Sequence, residues 1–345
     1  MAKNRFFIIL LLGFFPGGCS DRPPQRILEK YTESRRFMDQ IVKVDVCHEK
    51  ERRAQVERAV EKLWHRLEEI SAHADVHDEN SDLVRLNRAF PDPVEVDNDT
   101  YHLIKSALEY SRITNDAFDV TVLPLLRLWN DSEKKNKAPT LADIQRVQRS
   151  MGSNMIALGT DGRVRLKDAR TQLDLSRLID GFAADEAARI LRAFGFTDFL
   201  VDTSGELYAS GNNCEGTNWR IGIRDPRNSK MIREVVEIQN RAIAAAGDYE
   251  KYFTIGGVRW SQILDPKTGT PHREIASASV IGPNAESAEA LATALCVMDP
   301  KEGTALIDAL GKGWASFIYV RGKEKKLDVY ISRNYERFRR KLHSQ

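Results

Sequence analysis

Glu289 and Thr293 stand four residues apart in the stretch Glu286-Ser287-Ala288-Glu289-Ala290-Leu291-Ala292-Thr293-Ala294-Leu295. If that stretch is a helix, a carboxylate and a hydroxyl project from one side, a turn apart. Two chemistries fit the spacing. The plain one is a solvated helix face with two polar side chains. The other is a hard-cation site, since Mg2+ takes oxygen from carboxylates, hydroxyls, carbonyls and water and is usually held by few protein ligands plus phosphate. Spacing alone does not choose between them.

The elements that must position this pair are legible around it. Asn284 stands where a helix cap belongs, and Leu291, Leu295 and Met298 share an apolar face. Upstream, Gly256-Gly257 between Tyr252–Ile255 and Val258–Trp260 is a hairpin signal. Asp265-Pro266-Lys267-Thr268-Gly269 reads as a turn in which proline fixes φ and glycine supplies φ > 0.

Further strands are expected at Phe37–Val46, Phe199–Asp202, Leu207–Ala209, Trp219–Ile223, Val235–Ile238, Ala242–Ala246, Ala315–Val320 and Leu327–Ile331. A long amphipathic helix runs through Val56, Val60, Leu63, Leu67 and Ile70, and Ser81 caps a short one. Others run from about Asp99 to Thr114, from a Thr140 cap through Val147, and from Gly181 to a stop at Gly195, with one more ending at Gly311. Asp131 to Ala138 reads as a charged loop. Strand runs and helix runs without regular alternation indicate α+β: one domain of mixed sheets with flanking helices, or two tightly joined lobes.

At the start of the chain, Lys3 and Arg5 precede the apolar run Phe6–Phe15. That run is too short to span a bilayer and suits the core of a signal peptide. Pro16-Gly17-Gly18 then sets small residues before Cys19, as lipoprotein processing requires. The expected layout is a signal peptide over 1–18, a lipid-anchored tether over 19–36, the folded domain over 37–338 and a tail over 339–345. The alternative is a secretory signal cleaved nearby, with Cys19 lost or left free. Both mean export.

The formal net charge is +2, and Lys3 and Arg5 lie in the signal, so the mature protein is near neutral. That argues against a nucleic-acid partner. Cys47, Cys214 and Cys296 show no metal-ligand spacing and read as buried thiols, with room for one disulfide in an oxidising compartment. Dinucleotide-fold, P-loop and hydrolase-elbow motifs are absent. His73 and His77 lie in a segment rich in turn residues and read as surface histidines.

Several blocks, in order, carry a family resemblance: Phe37-Met38-Asp39, Asn80-Ser81-Asp82-Leu83-Val84-Arg85-Leu86-Asn87, Asp116-Ala117-Phe118-Asp119-Val120-Thr121-Val122-Leu123-Pro124-Leu125 with Trp129, Leu173-Asp174-Leu175-Ser176 through Gly181-Phe182-Ala183-Ala184-Asp185, and Gly247-Asp248-Tyr249 with Ile263-Leu264-Asp265-Pro266. Together they resemble the FAD:protein FMN transferases, the ApbE-type flavin transferase lipoproteins. The resemblance implies flavin contacts at Met38, Ala117, Phe118, Asp119, Asp174, Asp180 and Ile263, and places His73 near a ring-stacking tyrosine. Taken by itself, Phe118 reads as a core residue. The resemblance also implies a magnesium site on Glu289 and Thr293, with main-chain carbonyls from Arg177 and Ala292.

The chain departs from the family pattern at four places. Asp180 stands where most members have lysine, Gln262 replaces a frequent histidine, Ser204-Gly205 replaces Gly-Gly, and Glu289 replaces the usual aspartate. The implied reaction is Mg2+-dependent transfer of FMN from FAD to a Ser/Thr hydroxyl of an acceptor flavoprotein, with release of AMP, at the periplasmic face of a bacterial membrane. Two rival readings are an exported FAD-binding lipoprotein without transferase activity and a Mg2+-dependent FAD pyrophosphatase. The residues single out no catalytic base, though Asp248 is one acid in reach of the motif.

Overall fold

The computed structural model describes residues 27–38, 40–248, 251–271, 274–322 and 326–340. The expected signal peptide, Cys19, the tether up to residue 26, Asp39, Tyr249 and residues 341–345 lie outside them.

β1 (Glu29–Phe37) and β2 (Gln40–His48) form a hairpin whose turn begins at Met38, with φ +50°. The tether was expected to reach residue 36, but from Glu29 onward the chain is sheet. Its sequence is charged because β1 is an edge strand, where charge guards the unpaired side. α1 (Arg53–Ala74) buries the expected stripe, Val56, Val60, Leu63, Leu67 and Ile70. Ser81 caps α2 (Asp82–Arg88) by accepting from Val84 N–H at 3.1 Å. β3 (Val94–Glu95) and α3 (Asn98–Ile113) follow.

α4 (Leu123–Lys134) runs through the first half of the expected charged loop. Asp131 and Lys134 pair at 3.2 Å on its outer face, and Asn136, at φ +48°, ends it with Lys137 N–H on Ser132 O. Thr140 and Asp143 form a capping box on α5 (Leu141–Gln148). β4 (Ile156–Leu158) and β5 (Arg163–Leu166) join β3 in a small sheet.

α6 (Ile179–Ala193) stops before Gly195, at φ +76°. Then come β6 (Phe199–Thr203), β7 (Glu206–Ser210), β8 (Trp219–Asp225), β9 (Asn228–Ile238) and β10 (Arg241–Gly247). β11 (Tyr252–Ile255) and β12 (Val258–Ser261) turn on Gly256 and Gly257, both at positive φ as the hairpin needs. β13 (Ile275–Gly282), α7 (Ala285–Leu295), α8 (Pro300–Ala309), β14 (Ala315–Arg321) and β15 (Leu327–Ile331) complete the order.

Among the described residues, eight strands form one antiparallel sheet in the order β1-β2-β6-β7-β10-β13-β14-β15. Its alternating side chains feed different cores. Val42, Val44 and Val201 pack under α1 and α6, while Ala244, Ala278 and Val280 pack under α7. Ile243, Phe317 and Tyr319 face the other way, onto the β8–β9 hairpin. A smaller cluster joins α4, α5 and the β11–β12 hairpin around Trp129, whose Nε1 donates to Gly269 O at 2.9 Å. Helices gathered on one face of an antiparallel sheet make this an α+β fold. Arg339, expected in a C-terminal tail, instead pairs with Glu234 and bridges to Val236 of β9.

Cys47 on β2 and Cys214, beyond β7, form a disulfide across 167 residues of sequence; Cys296 is a buried free thiol, as expected. Replacing both bridged cysteines by serine should lower stability by about 2–4 kcal/mol, because a long loop is freed in the unfolded chain. The check is a urea midpoint for the double variant against wild type under oxidising conditions. Coincident midpoints would contradict a stabilising bridge.

Candidate active site

The first turn of a helix leaves amide donors without an intrahelical acceptor. α6 and α7 supply that acceptor to each other. Gly181, in the first turn of α6, donates its N–H to Glu289 Oε2 at 2.8 Å. Asp185, one turn further on, accepts Ala285 N–H with both carboxylate oxygens at 2.9 Å and Glu286 N–H at 3.0 Å. Asn284 completes the α7 cap by accepting from Ser287 N–H at 2.9 Å. The pairs 181/289 and 185/285 run in opposite directions, so the helices are antiparallel and joined by two rungs. Their approach demands glycine at 181: a Cβ there would lie 2.5 Å from Ala285 O.

Glu289 is only 5% exposed, which rules out the solvated helix face. α7 is enclosed by β10, β13 and α6, so Glu286 and Glu289 are buried along with its apolar residues. Burial, then the negative charges of Glu206 and Asp180, push the Glu289 carboxyl well above the ordinary carboxylate range, against the Gly181 amide and the Arg177 charge. Thr203 Oγ1 lies within hydrogen-bond distance of the main-chain carbonyls of both Asp180 and Glu206, at 2.9 and 2.8 Å, and so gathers these acids. One turn beyond Glu289, Thr293 Oγ1 is buried without a hydrogen-bond partner among the described residues.

A carboxylate held by a single amide and an orphaned hydroxyl on the same side leave a place for a cation. No three His, Cys, Asp or Glu side chains among the described residues converge as metal ligands. The donors are therefore one carboxylate, one hydroxyl and nearby carbonyls, all hard oxygens, which suits Mg2+. Arg177 lies in the turn before α6 and Ala292 is buried beside Thr293 on α7, both where a carbonyl could contribute.

Of the expected flavin residues, Ala117 to Asp119 and Asp174 meet at one turn. Phe118 is buried, its N–H donating to Thr114 Oγ1 at 3.1 Å and its ring edge-on to Tyr110. Asp119 Oδ1 accepts both the N–H and the hydroxyl of Thr121 at 2.7 Å, and burial raises its pKa. Asp174 N–H donates to Val120 O at 2.8 Å, which brings Asp174 beside that turn. Met38 packs on the same core as Phe118. Ile263 belongs to the core under α7, and Ala117 packs against both cores. His73 stands apart. Its Nδ1 faces Asp82 Oδ2 at 3.5 Å, and its carbonyl accepts from Thr100 Oγ1 at 3.3 Å.

Gly181, Asp185 and Glu206 are site-building residues to which sequence reasoning gave no role. The only local signal was a glycine one turn ahead of an aspartate at a helix start; their partners lie roughly a hundred residues away on α7, or on another hairpin. A further pair escaped notice, His102 Nε2 at 2.8 Å from Glu286 Oε2, with Tyr110 OH donating to Glu286 Oε1 at 3.1 Å. The Glu286 hydrogen bond raises the His102 pKa.

The sequence profile of the ApbE family matches residues 38–318. The chain belongs to the ApbE family. An FAD:protein FMN transferase of Vibrio cholerae is 32% identical over 247 residues, covering 70% of this chain and 74% of that one. The protein of the same description from Treponema pallidum is 29% identical over 323 residues, covering 88% and 87%. Among solved structures, the flavin transferase ApbE of Vibrio cholerae matches with a TM-score of 0.80 at 26% identity, over 90% of this chain and 99% of that one. The ApbE protein of Thermotoga maritima matches with a TM-score of 0.81 at 29% identity, over 91% and 100%. This ApbE-family chain is accordingly a transferase.

Asp185 makes a pH prediction. Burial pushes its carboxyl from the ordinary 3.8 up to about 7, aided by the Glu286 charge and opposed by the Ala285 and Glu286 amides and by Arg192. Between those pH values the folded protein keeps a proton that the unfolded chain has released, so stability from this group falls as pH rises. The stability of wild type minus that of Asp185→Asn should therefore decline from about pH 4 to about pH 7 and level off above that in urea unfolding. A flat difference would contradict the burial of this charge.

Proposed function

We propose that this chain is an exported, Mg2+-dependent FAD:protein FMN transferase. A Ser or Thr hydroxyl of an acceptor flavoprotein attacks the FMN phosphorus of FAD; a new phosphorus–oxygen bond forms, the pyrophosphate bond breaks, and AMP leaves. The observation that carries this reading is the buried Glu289 carboxylate with the orphaned Thr293 hydroxyl one turn away. Mg2+ bound there supplies charge neutralisation at the pyrophosphate.

The chain's own residues hold and orient. Glu289 and Thr293 hold the cation, with the carbonyls of Arg177 and Ala292. The rigid Asp119–Thr121 turn and Asp174 shape one wall of the flavin site, and Phe118 backs it. Ile263 closes it from the α7 side, and Met38 and Asp180 complete the proposed flavin set, with His73 held apart against Asp82. Asp248 is the candidate to take the hydroxyl proton: burial raises its pKa, although Arg321 pairs with it at 2.5 Å and pulls the other way.

Export is supported by Lys3, Arg5 and the apolar run before Cys19, and by the Cys47–Cys214 bridge, which suits an oxidising compartment such as the periplasm. Lipid on Cys19 would tether the enzyme to the membrane face where exported acceptors reside.

The test is a Mg2+ titration of purified protein with FAD and a candidate acceptor, read as AMP release and as flavin fluorescence on denatured acceptor. Glu289→Gln should raise the Mg2+ requirement at least about tenfold. Glu289→Asp, which shortens the arm by one methylene, should alter the requirement, because Mg2+ demands a tight octahedron. Three superimposable titrations would remove Glu289 from the metal site. AMP without adduct would make the protein a pyrophosphatase.

A further inference from the structure

We infer that Asp185 is a positioning residue for the cation site, holding the first turn of α7 so that Glu289 and Thr293 stand at the correct height against α6. This rests on the reading that Glu289 and Thr293 hold Mg2+.

The geometry is a two-rung ladder. Asp185 and Gly181 lie one turn apart on α6, and their partners Ala285 and Glu289 lie one turn apart on α7. A helix is stiff over four residues, about 6 Å of rise, so a shift of α7 at Ala285 is passed to Glu289 and on to Thr293. The slack is small: at Gly181 the two backbones already exclude a Cβ. The second strap comes from α3. His102 and Tyr110 grip the Glu286 carboxylate, and Tyr110 OH lies 2.8 Å from Ser287 Oγ, so rotation of α7 about its own axis is restrained as well.

A carboxyl group suits position 185. Its two oxygens accept from two amides that have no acceptor within their own helix, whereas an asparagine amide would turn one N–H group against those donors. Losing a residue that orients a metal ligand without touching the metal commonly costs about 10–100-fold in metal affinity or activity. Asp185 is placed to orient one through the main chain.

The experiment compares wild type, Asp185→Asn, His102→Gln and Glu289→Gln as full-length protein. Mg2+ is titrated into each in the presence of FAD, with the heat of binding and the rate of AMP release both followed. FAD affinity without metal and the thermal midpoint are measured alongside.

Asp185→Asn should weaken Mg2+ binding about tenfold, leave the rate at saturating Mg2+ within about twofold, and leave metal-free FAD binding unchanged. His102→Gln, a half-exposed position that tolerates change, should weaken Mg2+ binding about twofold and serves if the aspartate variant fails to fold. If Asp185→Asn lowers the thermal midpoint yet binds Mg2+ as wild type does, Asp185 is only a structural cap and the inference falls. The same holds if His102→Gln is the variant that folds and its Mg2+ binding is unchanged. If Glu289→Gln itself binds Mg2+ normally, the cation-site reading falls first, and this inference with it.

Discussion

Two helices that cap one another organise this protein. α6 places Asp185 at the N-terminus of α7, and α7 places Glu289 at the N-terminus of α6. Each cap answers amides that would otherwise be buried and unpaired, and a helix N-terminus favours the negative charge it receives. Caps of this kind contribute about 1 kcal/mol each. Their larger consequence is geometric. They bring a carboxylate into a nearly dry interior and fix one of its oxygens, leaving it short of positive charge.

The rest of the fold serves that arrangement. The antiparallel sheet gives α7 a flat floor of Ala244, Ala278 and Val280, small enough for the helix to sit low. The β6–β7 hairpin brings Glu206 toward Asp180 through Thr203, adding negative charge around Glu289. Burying a carboxylate is unfavourable unless it is paired, and a lone amide is a weak partner for it. The buried acid and the orphaned Thr293 hydroxyl are both explained if a small oxygen-seeking cation belongs between them.

Much of the architecture was legible in local sequence because it rests on local chemistry. The Asn284 and Ser81 caps, the Gly256-Gly257 hairpin and the stripe of α1 each depend on residues within a turn or two of one another. The failures share a cause. Glu289 and Thr293 read equally well as a solvated pair, because helical periodicity cannot register a sheet, α6 and α3 closing around α7. The charged run before Phe37 looked like a tether, since an edge strand is polar for the same reason a linker is. Asp185 went unassigned because its partners are amides a hundred residues away, and a cap supplied by another helix leaves no local pattern.

The most direct measurement is anomalous diffraction from crystals of the protein grown with FAD and Mn2+, which takes the same hard-oxygen ligands as Mg2+. The account predicts a manganese peak within about 2.5 Å of both the Glu289 carboxylate and the Thr293 hydroxyl, against the flavin pyrophosphate. A peak elsewhere in the molecule, or FAD bound at saturating Mn2+ with no peak beside Glu289, would contradict it.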